Sequence, residues 1–254
     1  MKISLVTATW NSAATIGDTL RSVNAQTHPD VEQIVVDGGS GDATLAIVRD
    51  QGLRVAVLVS EPDRGIYDAM NKGLRLARGD VIGLINSDDF LAGPSVLAKV
   101  ASVFGDLSVD AVYGDLCYVA QNEPSRVVRY WRSSPFRSGL FARGWAPPHP
   151  TLYIRRSLYE QYGGFDLAYP LAADLELMAR YFEVHRLRAR YVPEVFVHMR
   201  TGGATNRSLT NIARQNREIW RALRKHGLAG SMAGFALRKV ASRLRQFIAR
   251  PAPG

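Results

Sequence analysis

Strand and helix patterns alternate along the first 86 residues of this chain, and the alternation limits the possible fold more than any other feature. The stretch ISLVTAT (3–9) is rich in β-branched residues, as buried strands are. Behind it, Ile16, Leu20 and Val23 recur at the spacing of one helix face. The same order then repeats in the segments VEQIVVD (31–37), TLAIVRDQG (44–52), RVAVLVSE (54–61), GIYDAMNKGLRLARG (65–79) and DVIGLIN (80–86). This pattern predicts an α/β fold with a mostly parallel, doubly wound central sheet flanked by helices.

Acidic residues follow two of the predicted strands. Asp37 ends the second strand, and the adjacent pair Asp88 and Asp89 comes shortly after the fourth. In doubly wound sheets, ligands bind at the carboxyl ends of the strands. We therefore expect the three carboxylates to converge on one crevice.

The neighbouring carboxylates of Asp88 and Asp89 repel each other unless a cation or a hydrogen-bond donor lies close to them. Oxygen ligands of this kind suit Mg²⁺ or Mn²⁺, and such an ion shares its remaining positions with water and substrate phosphates. The alternative is a helix start, in which Ser87 or Asp88 caps the helix that follows. The pair by itself leaves both interpretations open.

Composition narrows the class of protein. The 254 residues, 46% of them hydrophobic, are enough to bury a full core. Cys117 is the only cysteine, which excludes an intrachain disulfide and a multi-cysteine metal cluster and is typical of a reducing compartment. No apolar run approaches the roughly 18 to 20 residues that cross a bilayer, and the opening MKISLVTATWNS is too short an apolar run for a signal peptide. We expect a cytoplasmic protein, free or held at a membrane surface.

The net charge of +9 is concentrated near the carboxyl terminus. Residues 207–250 contain eleven Lys and Arg and a single acid, Glu218, so this segment carries +10 and the rest of the chain −1. The sequence therefore predicts a charge-balanced domain over residues 1–206 and a basic helical extension over residues 207–254. A basic helix meets an anionic lipid surface as readily as a nucleic acid.

Two helices are predicted inside this extension, in RSLTNIARQNREIWRALRKHG (207–227) and SMAGFALRKVASRLRQFIAR (231–250). Each has an apolar stripe beside its basic residues. The functional interpretation is adsorption to an anionic membrane, chiefly through the second helix. The alternative is that the stripes pack on the preceding domain or on a second subunit, as in a homodimer.

Several motifs, taken in order, resemble family 2 of the inverting glycosyltransferases, which has the GT-A nucleotide-sugar-binding fold. The resemblance spans roughly residues 2–200 and is closest to the non-processive enzymes that build bacterial surface polysaccharides, because the Gln-x-x-Arg-Trp motif and transmembrane helices of the processive synthases are lacking. The motifs are TATWNSAATIGDTLRSVNAQT (7–27), EQIVVDGGSGDAT (32–44), EPDRGIYDAMNKGLRLARGDVIGLINSDD (61–89), HPTLYIRRSLYEQYGGFD (149–166) and AADLELMARY (172–181).

The resemblance implies roles for residues at the nucleotide end of the site. Asp37 matches the acid that hydrogen-bonds the nucleotide base, and a carboxylate is suited to accept from a base N–H. Asp88 and Asp89 match the DxD-like element, in which one acid contacts ribose or a metal-bound water and the other the ion that bridges the diphosphate. The first aspartate of the usual pattern is Asn86 here. The remaining candidates for the nucleotide sugar are Thr7, Thr9, Asn11, Arg64 and Lys72, the last two alternatively being solvated surface residues.

The later motifs imply roles at the other end of the donor sugar. Asp174 matches the catalytic acid of the Glu-Asp element, with Ala173 in place of the glutamate. The alternative is that Asp174 only stabilises a helix start. His198 is a candidate third metal ligand, or otherwise a packed histidine. Trp145 and His149 are candidates for the acceptor side, although Trp145 is also an expected core aromatic.

Together these roles predict a metal-dependent transfer with inversion. Asp174 would take the proton of an acceptor hydroxyl while that oxygen attacks from the side opposite the leaving nucleoside diphosphate. The expected donor is a UDP- or GDP-sugar, and the expected acceptor is a glycan or a polyprenyl-diphosphate-linked glycan at the cytoplasmic face of the inner membrane.

Two other classes of protein would share part of this sequence pattern. A sugar-nucleotide nucleotidyltransferase would share the sheet and the acids, but it needs a basic glycine-rich loop that TATWNSAAT lacks. A basic protein that binds nucleic acid or another anionic surface would explain the extension and leave the placed carboxylates unexplained. We therefore expect no nucleic-acid partner.

Overall fold

The computed structural model describes residues 1–202 and 209–228, and in these ranges nine strands and their flanking helices form an α/β fold. The strands are β1 (Ile3–Thr9), β2 (Val31–Asp37), β3 (Val55–Ser60), β4 (Val81–Leu84), β5 (Phe90–Leu91), β6 (Ala111–Ala120), β7 (Glu123–Trp131), β8 (Tyr153–Arg155) and β9 (Ala189–Arg200). The helices are α1 (Ile16–Asn24), α2 (Thr44–Gln51), α3 (Ile66–Leu76), α4 (Val96–Val103), α5 (Arg156–Tyr162), α6 (Ala173–Ala179) and α7 (Leu209–Lys225). Short 3₁₀ turns lie at Phe141–Arg143 and His149–Thr151, and one π-helical turn at Arg180–Val184 follows α6.

The first half of the sheet is parallel, as the alternation predicts. Its order is β3-β2-β1-β4, and Thr9 pairs with Asp37 at the carboxyl ends of β1 and β2. Helix α3 lies close against β1, because a Cβ at Gly73 would come within 2.2 Å of Val6 Cγ1. Only glycine allows this close approach of the helix to the strand.

The second half of the sheet is mixed. Strand β8 runs antiparallel between β4 and β6, β7 forms a hairpin with β6, and β9 returns parallel to β6 with the short β5 on its far side. The two-residue connection between β6 and β7 permits only an antiparallel pair. The register of β6 and β9 shifts at Gly114, where a Cβ would meet Glu194 O at 2.7 Å, so the strands bend there. The strand–helix alternation stops after β4, which is why the sequence pattern describes the parallel half alone.

Both faces of the sheet are covered. Alternate residues of β1 point to opposite sides, with Val6 in one apolar cluster and Leu5 in another. The first cluster includes residues of α3, α5 and α6, and the second includes residues of α1 and α4. Burial on both faces explains why β1, β2 and β4 appear as nearly continuous apolar runs.

Helix α7, the first of the two predicted basic helices, packs on the body of the protein. Ile219, Ala222 and Leu223 are buried in the same apolar cluster as Val6. Of the two alternatives for its apolar stripe, this helix therefore follows the one in which the stripe packs on the preceding part of the chain. The second predicted helix lies outside the described residues, and the domain division after residue 206 stays a prediction.

No helix within residues 1–202 and 209–228 combines the length and apolar character that a bilayer crossing requires.

Candidate functional site

The site candidates gather around the carboxyl ends of β1, β2 and β4. A series of contacts links the loops there. Ser12 Oγ lies 2.8 Å from Ser87 Oγ, which joins the loop after β1 to the loop that carries the acidic pair. Asn11 joins the loop after β1 to the loop after β2, since its amide donates to Ser40 Oγ at 2.7 Å and its Oδ1 accepts from Gly41 N at 2.9 Å. Asn11 has a positive φ of 47°, a conformation that asparagine tolerates better than most residues.

Asp37 organises the loop that follows β2. Its Oδ2 accepts hydrogen bonds from the amides of Gly39 and Ser40, at 3.1 and 2.9 Å, and from Ser60 Oγ at 2.7 Å, while its Oδ1 accepts from Ser40 Oγ. Burial raises the pKa of Asp37, but the hydrogen bonds from Ser40 and Ser60 outweigh it, and the pKa lies below its ordinary value. Asp37 is therefore a charged, fully buried acceptor at the strand end, and its contact with a base stays a prediction.

The two threonines of β1 differ in their hydrogen bonding and in their distance from the strand end. Thr7 is fully buried and accepts a hydrogen bond from Gln33 Nε2 at 2.9 Å, so it is a core residue, and its predicted place on the surface of the nucleotide site is corrected. The reason is depth, because Thr7 lies two residues before the strand end. Thr9 is at the end itself, and its buried Oγ1 has no hydrogen-bond partner among the described residues.

Trp10 is a further candidate for contact with the nucleotide, and the sequence motifs did not indicate it. Its side chain is 66% exposed immediately after β1, an unusual state for so large an apolar group. A Cβ at Gly38 would lie 3.5 Å from Trp10 Cδ1 and 2.6 Å from Asp63 Oδ2, so glycine keeps this place open. An aromatic residue directly after a strand, in TATWN, was the available signal. An exposed indole beside Thr9 offers a flat surface on which a base can stack.

The acidic pair divides into one enclosed and one accessible carboxylate. Asp89 is fully buried, and it accepts from Asn86 Nδ2 at 3.1 Å and from Arg200 N at 3.3 Å. Burial, and then the charge of Asp88, raise the pKa of Asp89 well above its ordinary value. Asn86 therefore supplies a hydrogen-bond donor where an aspartate would add a third negative charge.

Asp88 is half-buried, and burial raises the pKa of its carboxyl. Its carboxylate accepts no hydrogen bond from the side chain of any other residue in the described part of the chain, so it is the member of the pair that can meet a ligand. Arg200 compensates part of the negative charge here. It is buried, donates from Nη1 to Asp88 O at 2.8 Å and forms an ion pair with Asp18 of α1.

His198 does not join the acids as a third metal ligand. It pairs with Phe90 across β5 and β9, and their rings meet edge to face at 5.2 Å. Burial lowers the pKa of His198, which favours a neutral imidazole. Within the described residues, no three His, Cys, Asp or Glu side chains are grouped as a metal site. Asp88, Asp89 and His198 are therefore not grouped as one metal site in the described residues, since Asp89 is enclosed and His198 packs against Phe90, and which of them contacts an ion stays a prediction.

The residues that remain still fit a divalent ion of the kind predicted. Mg²⁺ and Mn²⁺ are commonly held by one or two carboxylates together with substrate phosphates, so a complete cage of protein ligands is not required. Asp88 provides such a carboxylate, because its side chain is half-buried and lies close enough to Asp89 for the two charges to interact.

Arg64 and Lys72 lie on either side of the start of α3. The Arg64 side chain is 78% exposed and is loosely paired with Asp68 at 3.4 Å. Lys72 instead holds the preceding loop, since its Nζ donates to Pro62 O at 3.1 Å and pairs with Glu61 at 2.8 Å. Arg64 is therefore free to reach a ligand at the surface, whereas Lys72 is engaged by the protein.

Asp174 lies in the first turn of α6, and the fold brings it to the start of α3. Its Oδ1 accepts a hydrogen bond from Tyr67 OH at 3.0 Å. The ring of Phe165 stacks on Tyr67 with centroids 5.3 Å apart and meets His149 edge to face at 5.6 Å. Burial lowers the pKa of His149, the charge of Asp174 opposes this, and His149 Nε2 is buried without a partner among the described residues. The predicted base and the predicted acceptor histidine therefore do lie together.

Loop 61–65 connects the two ends of the site. Asp63 lies against Gly38, and Tyr67, only four residues later, contacts Asp174. The nucleotide end and the candidate base thus flank one short segment.

Two further residues make structural contacts. Trp145 is partly buried and packs in an aromatic cluster with Phe136, Phe141 and Tyr113, at centroid distances of 5.6 to 6.1 Å, which favours the core alternative, and its contact with an acceptor stays a prediction. Glu176, in the same helix as Asp174, is fully buried and bonded to Arg180 and to His226.

Comparison with known proteins supports one family. A family model described as Glycosyl transferase family 2 matches residues 4–163. A PGL/p-HBAD biosynthesis glycosyltransferase of Mycobacterium bovis (strain BCG / Pasteur 1173P2) is 33% identical over 209 residues, which cover 80% of this chain and 78% of that protein.

Solved structures have the same fold. S. aureus TarS 1–349 in complex with UDP superposes with a TM-score of 0.66 at 19% identity, over 98% of this chain and 72% of that one. The mannosyltransferase PcManGT from Pyrobaculum calidifontis, in complex with GDP-Man and Mn²⁺, gives a TM-score of 0.66 at 20% identity, over 97% and 73% of the two chains. Since both the sequence motifs and the arrangement of the sheet agree, this chain belongs to glycosyl transferase family 2 and has the GT-A fold.

Proposed function

We propose that this glycosyltransferase moves a sugar from a nucleotide-diphosphate sugar to a hydroxyl of an acceptor glycan, with inversion at the anomeric carbon. The observation that carries the proposal is the connection of Asp174, through Tyr67 and loop 61–65, to the strand ends that hold Thr9 and Asp37. Family membership favours this reaction over nucleotidyl transfer and over nucleic-acid binding.

The nucleotide lies at the ends of β1 and β2. Trp10 offers an apolar face to the base, and the unpartnered hydroxyl of Thr9 offers a hydrogen bond. TarS has been solved with UDP and with UDP-GlcNAc, and PcManGT with GDP-Man, which supports a UDP- or GDP-sugar as donor.

Asp174 acts as general base. Its carboxylate takes the proton of the acceptor hydroxyl as that oxygen attacks the anomeric carbon opposite the diphosphate. The transition state has oxocarbenium character, and His149 faces the acceptor side beside Asp174.

Asp88 is the residue that would hold Mg²⁺ or Mn²⁺, and the ion would supply stabilisation of the charge that develops on the leaving group. The Mn²⁺ in the PcManGT complex supports this choice of cofactor. Asp89, Asn86 and Arg200 keep the Asp88 loop in place.

The acceptor is a lipid-linked glycan in surface-polysaccharide synthesis, and the enzyme works as a peripheral protein on the cytoplasmic face of the inner membrane. The name of the mycobacterial relative, which refers to PGL/p-HBAD biosynthesis, supports a role in glycan assembly. The basic charge of residues 207–250 supports contact with an anionic surface.

The decisive experiment compares wild type with Asp174→Asn on a panel of UDP- and GDP-sugars, with Mn²⁺, Mg²⁺ or a chelator present. Nucleoside diphosphate release and thermal stabilisation by each donor are measured. Loss of the general base lowers turnover by about 10²- to 10⁴-fold, while donor-induced stabilisation persists. Turnover by Asp174→Asn at a near-normal rate would show that another group takes the proton.

A further inference from the structure

Tyr67 contacts the candidate base from another element, and it belongs to no role assigned so far. We propose that Tyr67 is a positioning residue, which holds the Asp174 carboxylate in the orientation required to take the acceptor proton. This inference rests on the proposed function and deepens it.

The geometry fixes one oxygen of the base and leaves the other open. Tyr67 OH donates to Asp174 Oδ1 at 3.0 Å, and no other side chain in the described ranges donates to this carboxylate. Oδ2 is therefore the oxygen that receives the proton. Asp174 lies in the first turn of α6 and Tyr67 in the first turn of α3, so the hydrogen bond restrains the carboxylate from a separate element of the fold.

Tyr67 is itself held in place. Its ring is half-buried in the first turn of α3 and stacks on Phe165 with an interplanar angle of 30°. Tyrosine has only two side-chain torsions, and the stack restrains both, so the hydroxyl is aimed at Asp174 before any acceptor arrives.

The ionisation state of Tyr67 suits a permanent donor. Burial, and then the charge of Asp174, raise the pKa of Tyr67 well above its ordinary value, so the hydroxyl keeps its proton at any pH at which the enzyme works. The other titratable groups around the pair are His149, from the 3₁₀ turn, and Glu218, from α7. Burial lowers the pKa of His149, which favours a neutral ring, and Glu218 accepts a hydrogen bond from Leu171 N at 2.8 Å.

The step balances without any proton from Tyr67. The acceptor oxygen forms a bond to the anomeric carbon and gives its proton to Asp174 Oδ2. The bond between that carbon and the diphosphate oxygen breaks, and the nucleoside diphosphate leaves with the electron pair. Tyr67 stabilises the charged carboxylate before transfer and keeps its own proton throughout.

The test is Tyr67→Phe in the full chain, assayed with the most active nucleotide sugar of the UDP and GDP panel and with water as acceptor. A hydrogen bond to a charged group is lost, so we expect kcat to fall about tenfold to a hundredfold, with the KM for the donor and donor-induced thermal stabilisation unchanged.

Tyr159→Phe is the matched control, because Tyr159 is a buried tyrosine whose hydroxyl has no hydrogen-bond partner among the described residues. It should leave kcat and the KM for the donor unchanged. If Tyr67→Phe does not fold, Phe165→Leu, which removes the stack and keeps the hydroxyl, must lower kcat while the KM for the donor stays unchanged.

The possible results separate the two proposals. A wild-type enzyme that turns over no nucleotide sugar would overturn the proposed function, and the inference with it. An active wild type with unchanged kcat in Tyr67→Phe would overturn the inference alone. A fall in donor binding equal to the fall in kcat would also overturn it, since a merely structural role predicts that result.

Discussion

At the scale of single residues, the two adjacent carboxylates of Asp88 and Asp89 affect the stability of the protein. Asp89 is enclosed and Asp88 is accessible, and burial raises the pKa of both carboxyl groups. A carboxyl whose pKa is raised in the folded state stabilises the protein only at low pH, and that contribution is lost as the pH rises through the folded-state pKa. At neutral pH the pair therefore destabilises the unliganded protein, and a bound cation relieves the repulsion.

Asp88→Asn should consequently raise the melting temperature at pH 7, because a buried charge beside Asp89 is removed. The gain should disappear as the pH falls below about 4, where an unperturbed carboxyl is already protonated. Stabilisation by Mn²⁺ plus UDP or GDP should be lost. Thermal unfolding across this pH range measures all three effects.

Asp42→Asn serves as the opposite control. Hydrogen bonds from Thr44 lower the pKa of Asp42, so this carboxylate stabilises the protein at neutral pH and the variant should melt at a lower temperature. If Asp88→Asn and Asp42→Asn change stability in the same direction at pH 7, the account of the pair is wrong.

At the scale of elements, α7 is the helix whose position sequence periodicity left open. Its apolar side enters the main core through Ile219, and buried Glu176 bonds to His226 just beyond its end. Gln215 Nε2 also donates to Leu171 O at 3.2 Å, in the segment that precedes α6. Helix α7 thus supports the helix that carries Asp174.

Ile219→Ala should lower the free energy of unfolding by about 2 to 4 kcal/mol, since it removes a fully packed side chain and leaves a cavity. Ala213→Ser, on the exposed side of the same helix, should change it by less than about 0.5 kcal/mol. Urea denaturation distinguishes them. Equal, small effects would mean that α7 does not belong to the cooperative unit.

At the scale of the whole molecule, the net positive charge of the chain comes from its carboxyl-terminal segment. Residues 207–250 carry +10, and in the described part Arg214 and Arg217 lie exposed on the outer side of α7 while its apolar side is buried. Contact of α7 with a membrane would therefore be electrostatic and would not require insertion of this helix. Such contact weakens with salt.

Binding to phosphatidylglycerol vesicles should fall when Arg214 and Arg217 are both changed to Ser, by about 1 kcal/mol for each residue. Cosedimentation at low and high salt gives the measurement. Arg49→Ser, at an exposed position on α2, should have no effect. Equal binding to phosphatidylcholine vesicles, or no dependence on salt, would contradict a role for this surface.

The alternation of strands and helices was sufficient to predict the parallel half of the sheet and to place Asp37, Asp88 and Asp89 at one edge. It was insufficient for the mixed half, where β9 pairs with a strand about 80 residues earlier and the register shifts at Gly114. The resemblance to a family marked Asp174, yet it gave no signal for Tyr67 or for the enclosure of Asp89.

What the sequence determined by itself was local: the periodicity that makes each strand and helix, the strand ends at which acids lie, and the family motifs. The tertiary structure decided which of those side chains meet. Tyr67 and Asp174 are 107 residues apart, and Arg200 and Asp18 are 182 apart. Such contacts depend on how the whole chain packs, whereas hydrophobic periodicity records only which face of each element is buried. For that reason Thr7 had the expected residue type but is buried and hydrogen-bonded in β1, while Tyr67, which the motifs did not single out, contacts Asp174.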